Sequence, residues 1–460
     1  MMRPVVRIPR ATVLGAAIAM ALGGASRTSR AQQPAPAPAR DSTAAAPGDT
    51  LHLGALQDAA VRTDPRAATL DLQAEQSRLR LRSLAAERLP MLSADGEARY
   101  QSDVARVPIT LPTGERVPSP PNDTYDASVG AQESLFDPTR APRRAVERSR
   151  LAEGQAEVRS ALHTLRIEVA ENFFAAALTE TRASVIANAI AGLEARLADA
   201  RARVREGAAL PSDTATIAAT LLQRRQDEVE ADADRRAALA RLADLAGRPI
   251  AADDALALPE LAPRVASARR ALEEQGGVHD RPEYAAFAAT RERLARQEDV
   301  SAATRKPSLS AFARAGYGRP GLNPLGTGFD TYWLAGVRVK WTPWTWGTTD
   351  RERQELELQR RIVQANEAAF TASLRRAVQG DLATIDRLTS TLEMDDQVIA
   401  LRERVERETG ARLAEGVATG AEYVDRNTEL LSARLTRAAH RVELARAQAH
   451  FLTTLGVEVR

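Results

Sequence analysis

Apolar positions along this chain follow two rhythms, and each rhythm occurs twice. In 125–136 (YDASVGAQESLF), Tyr125, Ala127, Val129, Ala131 and Leu135 alternate with Asp126, Ser128, Gln132 and Ser134; in 331–343, Trp333, Ala335, Val337, Val339 and Trp341 alternate with Arg338 and Lys340. A period of two puts the sets on opposite faces of a strand. Weaker alternation runs through 92–100 and 309–317. The second rhythm is helical. Val424, Thr428, Leu431, Leu435, Ala438, Val442, Ala445, Ala449 and Leu452 are spaced alternately by four and three, the seam of a coiled coil. Ile186, Ile190, Leu193, Leu197, Ala200 and Val204 form another seam. Moved back by 209 residues, the first seam predicts Ala215, Ala219, Leu222, Gln226, Val229, Ala233, Arg236, Ala240 and Ala243 as a packing face.

Proline and glycine punctuate these runs. No proline lies between Pro142 and Pro211, or after Pro343, as uninterrupted helices require. Residues 143–205 predict one helix of about 95 Å at 1.5 Å per residue. The breaks REGAALPSD (205–213) and EGVATGAEYVD (415–425) predict the turns of two helical hairpins. Pro65 and Pro282, Pro90 and Pro307, and Tyr100 and Tyr317 stand 217 apart; Gly207 and Gly416, and Gly247 and Gly456, stand 209 apart. The chain is written twice. The first repeat spans 51–250, with strands about 91–103 and 125–136 and a tip near 206–213. The second spans 251–460, with strands about 308–318 and 331–343 and a tip near 415–425.

Composition adds a destination. Arg3, Arg7 and Arg10 precede the short apolar run 11–24, which reads as a secretory signal over 1–31, cut after Ala31 or Ala25. Residues 32–50, rich in proline and small polar side chains, read as a flexible linker. Cleavage after Ala31 removes five arginines and no acid, moving the formal charge from +2 to −3, so the basic balance belongs to the leader and carries no nucleic-acid inference. With no cysteine, there is neither a disulfide nor lipid attachment through a thiol. His52, His163, His279, His440 and His450 lack ligand spacing, and no nucleophile–base set or cofactor fingerprint appears, so neither enzyme nor cofactor is expected.

In an exported chain, alternating segments of about ten residues fit transmembrane β-strands as well as an ordinary half-buried sheet. All four tryptophans lie in 333–346, as an interfacial aromatic belt would have them. Tyr100, Tyr125, Tyr317, Trp333 and Trp341 are the candidate membrane-interface aromatics. Four strands cannot close a barrel, and open edges are not tolerated in lipid, so strands must be pooled between copies. A trimer supplies twelve.

The strand-to-helix junctions VGAQESLFDPTRAPRRAVE (129–147) and VRVKWTPWTWGTTDRERQE (337–355), the two tips and their duplicated order together resemble the TolC family of outer membrane efflux factors. The resemblance covers about residues 51–458. It implies a mainly α protein with a small β part: a duplicated strand-pair plus helical-hairpin unit, assembling as a homotrimer. The trimer forms a 12-stranded β-barrel in outer membrane lipid, continued by an α-helical barrel in the periplasm. It also implies a passive conduit of efflux or type I secretion, working with a periplasmic adaptor protein and an inner-membrane transporter.

Carried onto this sequence, the family's constriction acids match Glu422 and Asp425, with Asp213 the first-half equivalent of Glu422 or a helix cap. Gly207, Ala208, Leu210, Gly416, Val417, Thr419 and Gly420 form the tips where an adaptor would dock. Where some relatives close the tip with a tyrosine and an arginine, this chain has Leu413 and Ala418, so that lock is not expected. Two other classes remain open: an exported coiled-coil scaffold, and a periplasmic adaptor, which would carry one hairpin between β-rich halves.

Overall fold

The computed structural model describes residues 50–104, 119–207, 209–275, 281–323 and 326–459. The expected leader, the linker up to residue 49, and Ala208 lie outside them. Within the described residues the order strand, helix, helix, strand, strand, helix, helix occurs twice. The first pass is β1 (Thr50–His52), α1 (Leu53–Thr63), α2 (Pro65–Ala86), β2 (Met91–Tyr100), β3 (Asp123–Phe136), α3 (Arg140–Arg205) and α4 (Pro211–Ala246). The second is β4 (Ala255–Ala257), α5 (Ala262–Gln275), α6 (Pro282–Ala303), β5 (Ser308–Arg319), β6 (Asp330–Lys340), α7 (Thr348–Ala414) and α8 (Gly420–Thr454). The protein is mostly helical with a small strand part.

The punctuation has local causes. Pro65 and Pro282 open α2 and α6 from the first turn, where the missing N–H costs nothing. Gly207, Gly247, Gly416 and Gly456 end α3, α4, α7 and α8 at φ of 74°, 63°, 71° and 84°, a region other residues enter only with strain. β6 stops at Lys340, short of the predicted 343, where the register would set Trp341 opposite Pro307, which has no N–H for a ladder.

β2, β3, β5 and β6 form one antiparallel sheet in that order. The helices repeat it. Next to the sheet, α2 packs on α3, α3 on α6 and α6 on α7; farther away α4 takes the place of α2 and α8 that of α6, giving α4, α3, α8, α7. At 66 and 67 residues, α3 and α7 run the whole wall, about 100 Å each. Midway along α3 the main core gathers Phe173, Phe174, Leu56, Leu242, Leu261 and Phe451 under α1, α5 and the end of α8. The parallel pair β1–β4, which the sequence pattern did not reveal, joins the two repeats there.

The α8 seam packs as expected at Leu431, Val442, Ala445, Ala449 and Leu452, and the α3 seam at Ile186 to Ala200. The transposed α4 seam does not. α4 meets α3 through Ile217, Leu221, Ala231, Leu239, Leu242 and Ala246, while Ala215, Ala219, Leu222, Gln226, Val229, Ala233, Arg236 and Ala240 are exposed. The reason is position: α8 lies between α3 and α7, whereas α4 packs on α3 with lesser contacts to α8 and α1, and no described helix covers its Leu222–Val229 side.

Phe173 is fully buried and meets Phe174 edge-on, with ring centroids 5.4 Å apart. Phe173→Ala should cost about 3–5 kcal/mol, seen as an earlier midpoint in denaturant unfolding followed by helical circular dichroism.

Candidate functional site

The register sorts the sheet into two faces. Leu92, Ala94, Gly96, Ala98 and Tyr100 of β2 share one face with Tyr125, Ala127, Val129 and Ala131 of β3. Ala313, Ala315 and Tyr317 of β5 and Trp333, Ala335, Val337 and Val339 of β6 continue it. This face is uncovered: Leu92 is 75% exposed, Val129 62%, Trp333 77% and Val337 63%. A water-soluble protein seldom leaves so continuous an apolar surface bare. Glu133, beside the β3 irregularity at Ser134/Phe136, is the acid on this face near its helix end.

The opposite face is polar and internally bonded. Arg314 donates through Nε to Ser128 Oγ (2.8 Å) and through Nη2 to Asp126 Oδ2 (2.7 Å), and the Tyr332 hydroxyl donates to Asp126 Oδ2 (2.6 Å). Gly316 leaves room for that ring, since a Cβ there would stand 2.6 Å from it. Sequence reading missed Arg314 and Tyr332 because 309–317 alternates weakly; the pairing of opposite charges across strands is the signal that would have found them.

Tyr100, Tyr125, Tyr317 and Trp333 gather toward the loop end of the apolar face, where Phe329 stacks between Tyr125 and Tyr317. Trp341 stands at the helix end, its indole N–H donating to the Arg305 carbonyl (3.0 Å). Tyr317 is level with Thr331, ten residues from Trp341. Ten residues make about 33 Å of strand, or roughly 25 Å of height at the tilt of a membrane barrel, matching the apolar band such barrels carry.

Beyond the sheet, α2, α3, α6 and α7 border a cleft of about 1030 Å³ lined largely by charged and polar groups, among them Arg80, Glu147, Arg293 and Glu352. At the far end lie the two tips. Gly207 and Gly416 make the turns, and Leu210 and Val417 project into solvent, 64% and 66% exposed. Thr419 caps α8 through its Oγ1, which accepts the Glu422 N–H, while Glu422 Oε2 accepts the Thr419 N–H, a reciprocal capping box. Asp213 Oδ1 accepts the Gly420 N–H at 2.7 Å, tying α4 to α8. Gly420 has to be glycine, because a Cβ would lie 2.8 Å from the Asp213 Cα. Asp425, one turn on from Glu422, is exposed and has no partner among the described residues. Leu413 packs against the tip core and Ala418 is buried.

A three-helix tie just above the tips escaped the sequence reading. Buried Tyr423 of α8 donates its hydroxyl to Glu406 of α7 (2.6 Å), and the Arg196 guanidinium of α3 lies 4.9 Å from the ring centroid. Gly410, near the C-terminal end of α7, is the one hint: a Cβ there would come within 2.7 Å of Arg196 Nη2.

No sequence-family model matches the chain, and no curated protein does. Its fold, however, is that of solved outer membrane proteins. CusC, studied for folding and transmembrane channel formation, superposes with a TM-score of 0.65 at 14% identity over 88% of this chain and 92% of its own. The outer membrane protein VceC of Vibrio cholerae gives 0.63 at 14% identity over 89% and 97%. The open MtrE outer membrane channel of Neisseria gonorrhoeae gives 0.62 at 20% identity over 89% of each chain.

Burial, and then the hydrogen bond to Glu406, push the Tyr423 hydroxyl up to about 12 from its ordinary 10.0. The fold therefore favours the neutral phenol, and this contribution to stability is complete below pH 10 and lost as pH rises through about 12. Absorbance titration should show one tyrosine ionising near pH 12, absent in Tyr423→Phe. That variant should also lose about 1–3 kcal/mol by leaving Glu406 without its donor.

Proposed function

We propose that this chain is an outer membrane channel of the TolC-like class, a passive conduit rather than an enzyme. In this reading it receives cargo from a periplasmic adaptor protein and an inner-membrane transporter. One observation carries the reading: a four-stranded sheet exposes an apolar face about as tall as a bilayer core while both outer strands, β2 and β6, keep an edge unpaired among the described residues. In lipid those edges have to be paired, and three copies close a ring of twelve strands.

The helical wall supports the same closure. α4 forms one border with its exposed stripe Ala215, Ala219, Leu222, Gln226, Val229 and Ala233, and α7 forms the other with exposed Met394, Val398, Leu401 and Val405. Both stripes have coiled-coil spacing. Each copy therefore offers its α4 border to the α7 border of the next, a head-to-tail contact that closes by rotation. Replacing Leu222 and Val229 together by Asp should shift the detergent-solubilised protein from trimer to monomer in light scattering.

At the tips, three copies bring acids around one opening. Glu422 and Asp213 are held by local hydrogen bonds, so Asp425 is the carboxylate most free to face permeating ions. A ring of carboxylates favours cations. In planar bilayers Asp425→Asn should lower cation selectivity more than Glu422→Gln, and unchanged selectivity in the double variant would remove the acid ring from the account.

A further inference from the structure

The rim where the sheet passes into the helices carries more chemistry than a sheet end requires. Trp344 and Trp346 are 71% and 82% exposed and meet edge-on, with centroids 5.8 Å apart. Neither indole N–H has a hydrogen-bond partner among the described residues. Trp346 holds a φ of 52°, rare for a residue with a side chain, and its carbonyl accepts from Arg351 Nη2 at 3.1 Å. Backbone strain and a side-chain bond thus support a ring that touches almost nothing of its own chain.

Charges at the rim are unbalanced. Arg88 and Lys306 occupy corresponding turns, α2–β2 and α6–β5, and both are exposed with no carboxylate partner among the described residues. The acids of these junctions are occupied: Arg143 binds Glu87 (2.8 Å), Arg305 binds Asp350 (3.0 Å), and Asp137 accepts from Thr139 (2.7 Å). Among the described residues of these junctions Glu133 is the acid left without a partner, against Arg88, Lys306 and Arg351.

We propose that this rim is a collar that binds the headgroups of anionic glycerophospholipids. The tryptophans would sit at the level of the ester groups and the cations at the level of the phosphates. The proposal rests on the reading that the apolar sheet face meets lipid. The occupant follows from continuity: acyl chains lie on the apolar face, so the next chemistry along the strands is a headgroup, and unpaired cations select a negative one. Lys340, the chain's only other lysine, falls by register on the polar face with Arg338 and serves as a control.

The test is native mass spectrometry of the full chain in detergent, titrated with phosphatidylglycerol or phosphatidylcholine of matched acyl chains. The wild type should prefer phosphatidylglycerol. Arg88→Gln with Lys306→Gln should weaken that lipid about 30-fold, at about one kcal/mol per charge, and leave phosphatidylcholine unchanged, whereas Lys340→Gln should keep the preference. Equal affinity of the wild type for both lipids, or an undiminished preference in the double variant, overturns the collar. If the protein still inserts into phosphatidylcholine vesicles and conducts, only the collar has failed. If it needs no detergent and enters neither kind of vesicle, the channel reading fails with it.

Discussion

A peptide group in hydrocarbon has to find its hydrogen-bond partner within protein, and the proposed function makes the rest of this structure depend on that constraint. The sheet satisfies it internally between β2, β3, β5 and β6 and, among the described residues, leaves it unmet along two outer edges. Burying the apolar face against a further layer of this chain would answer the exposed side chains but not the edges. In the proposed reading, closure with other copies answers both, because the same rotation that pairs β6 with a neighbouring β2 turns every apolar face outward and every Asp126–Arg314 network inward.

Duplication lets one solution serve at two levels. Each repeat supplies a strand pair and a hairpin, so the order of strands and the order of helices are set by the same connections. The long helices α3 and α7 each leave the sheet directly from a strand, through Asp137–Thr139 and Trp341–Gly347, and so inherit its order. Their length carries the wall to tips held by few but specific contacts: Asp213 to Gly420 between hairpins, and Tyr423 with Glu406 and Arg196 across three helices. Salt bridges are numerous along the wall but mostly exposed, so packing at residues such as Phe173, Leu193 and Leu242 decides the stability.

Much of this was legible in the sequence where a local rule governs. Glycines with positive φ, prolines at helix starts and the alternation of 125–136 and 331–343 each follow from the geometry of a few neighbouring residues. What failed was inference by transposition. Moving the α8 seam onto α4 presumed equal surroundings, yet α8 lies between α3 and α7, whereas α4 packs on α3 with lesser contacts to α8 and α1 that leave the stripe through Leu222 and Val229 bare in the protomer. Burial depends on neighbours that the repeat does not duplicate. At the tips, the family resemblance pointed to Asp213, Glu422 and Asp425 but not to what their oxygens accept, since a carboxylate beside a helix start can cap it or face a pore. The Tyr423 tie joins residues distant in sequence, and no periodicity encodes it.

The central claim is that unpaired strand edges oblige identical chains to share one closed wall. The molar mass of the detergent-solubilised protein, measured by light scattering with the detergent contribution subtracted, tests this most directly. The account predicts three times the mass of a single chain and precipitation when detergent is withdrawn. A single-chain mass that persists in plain buffer would contradict it.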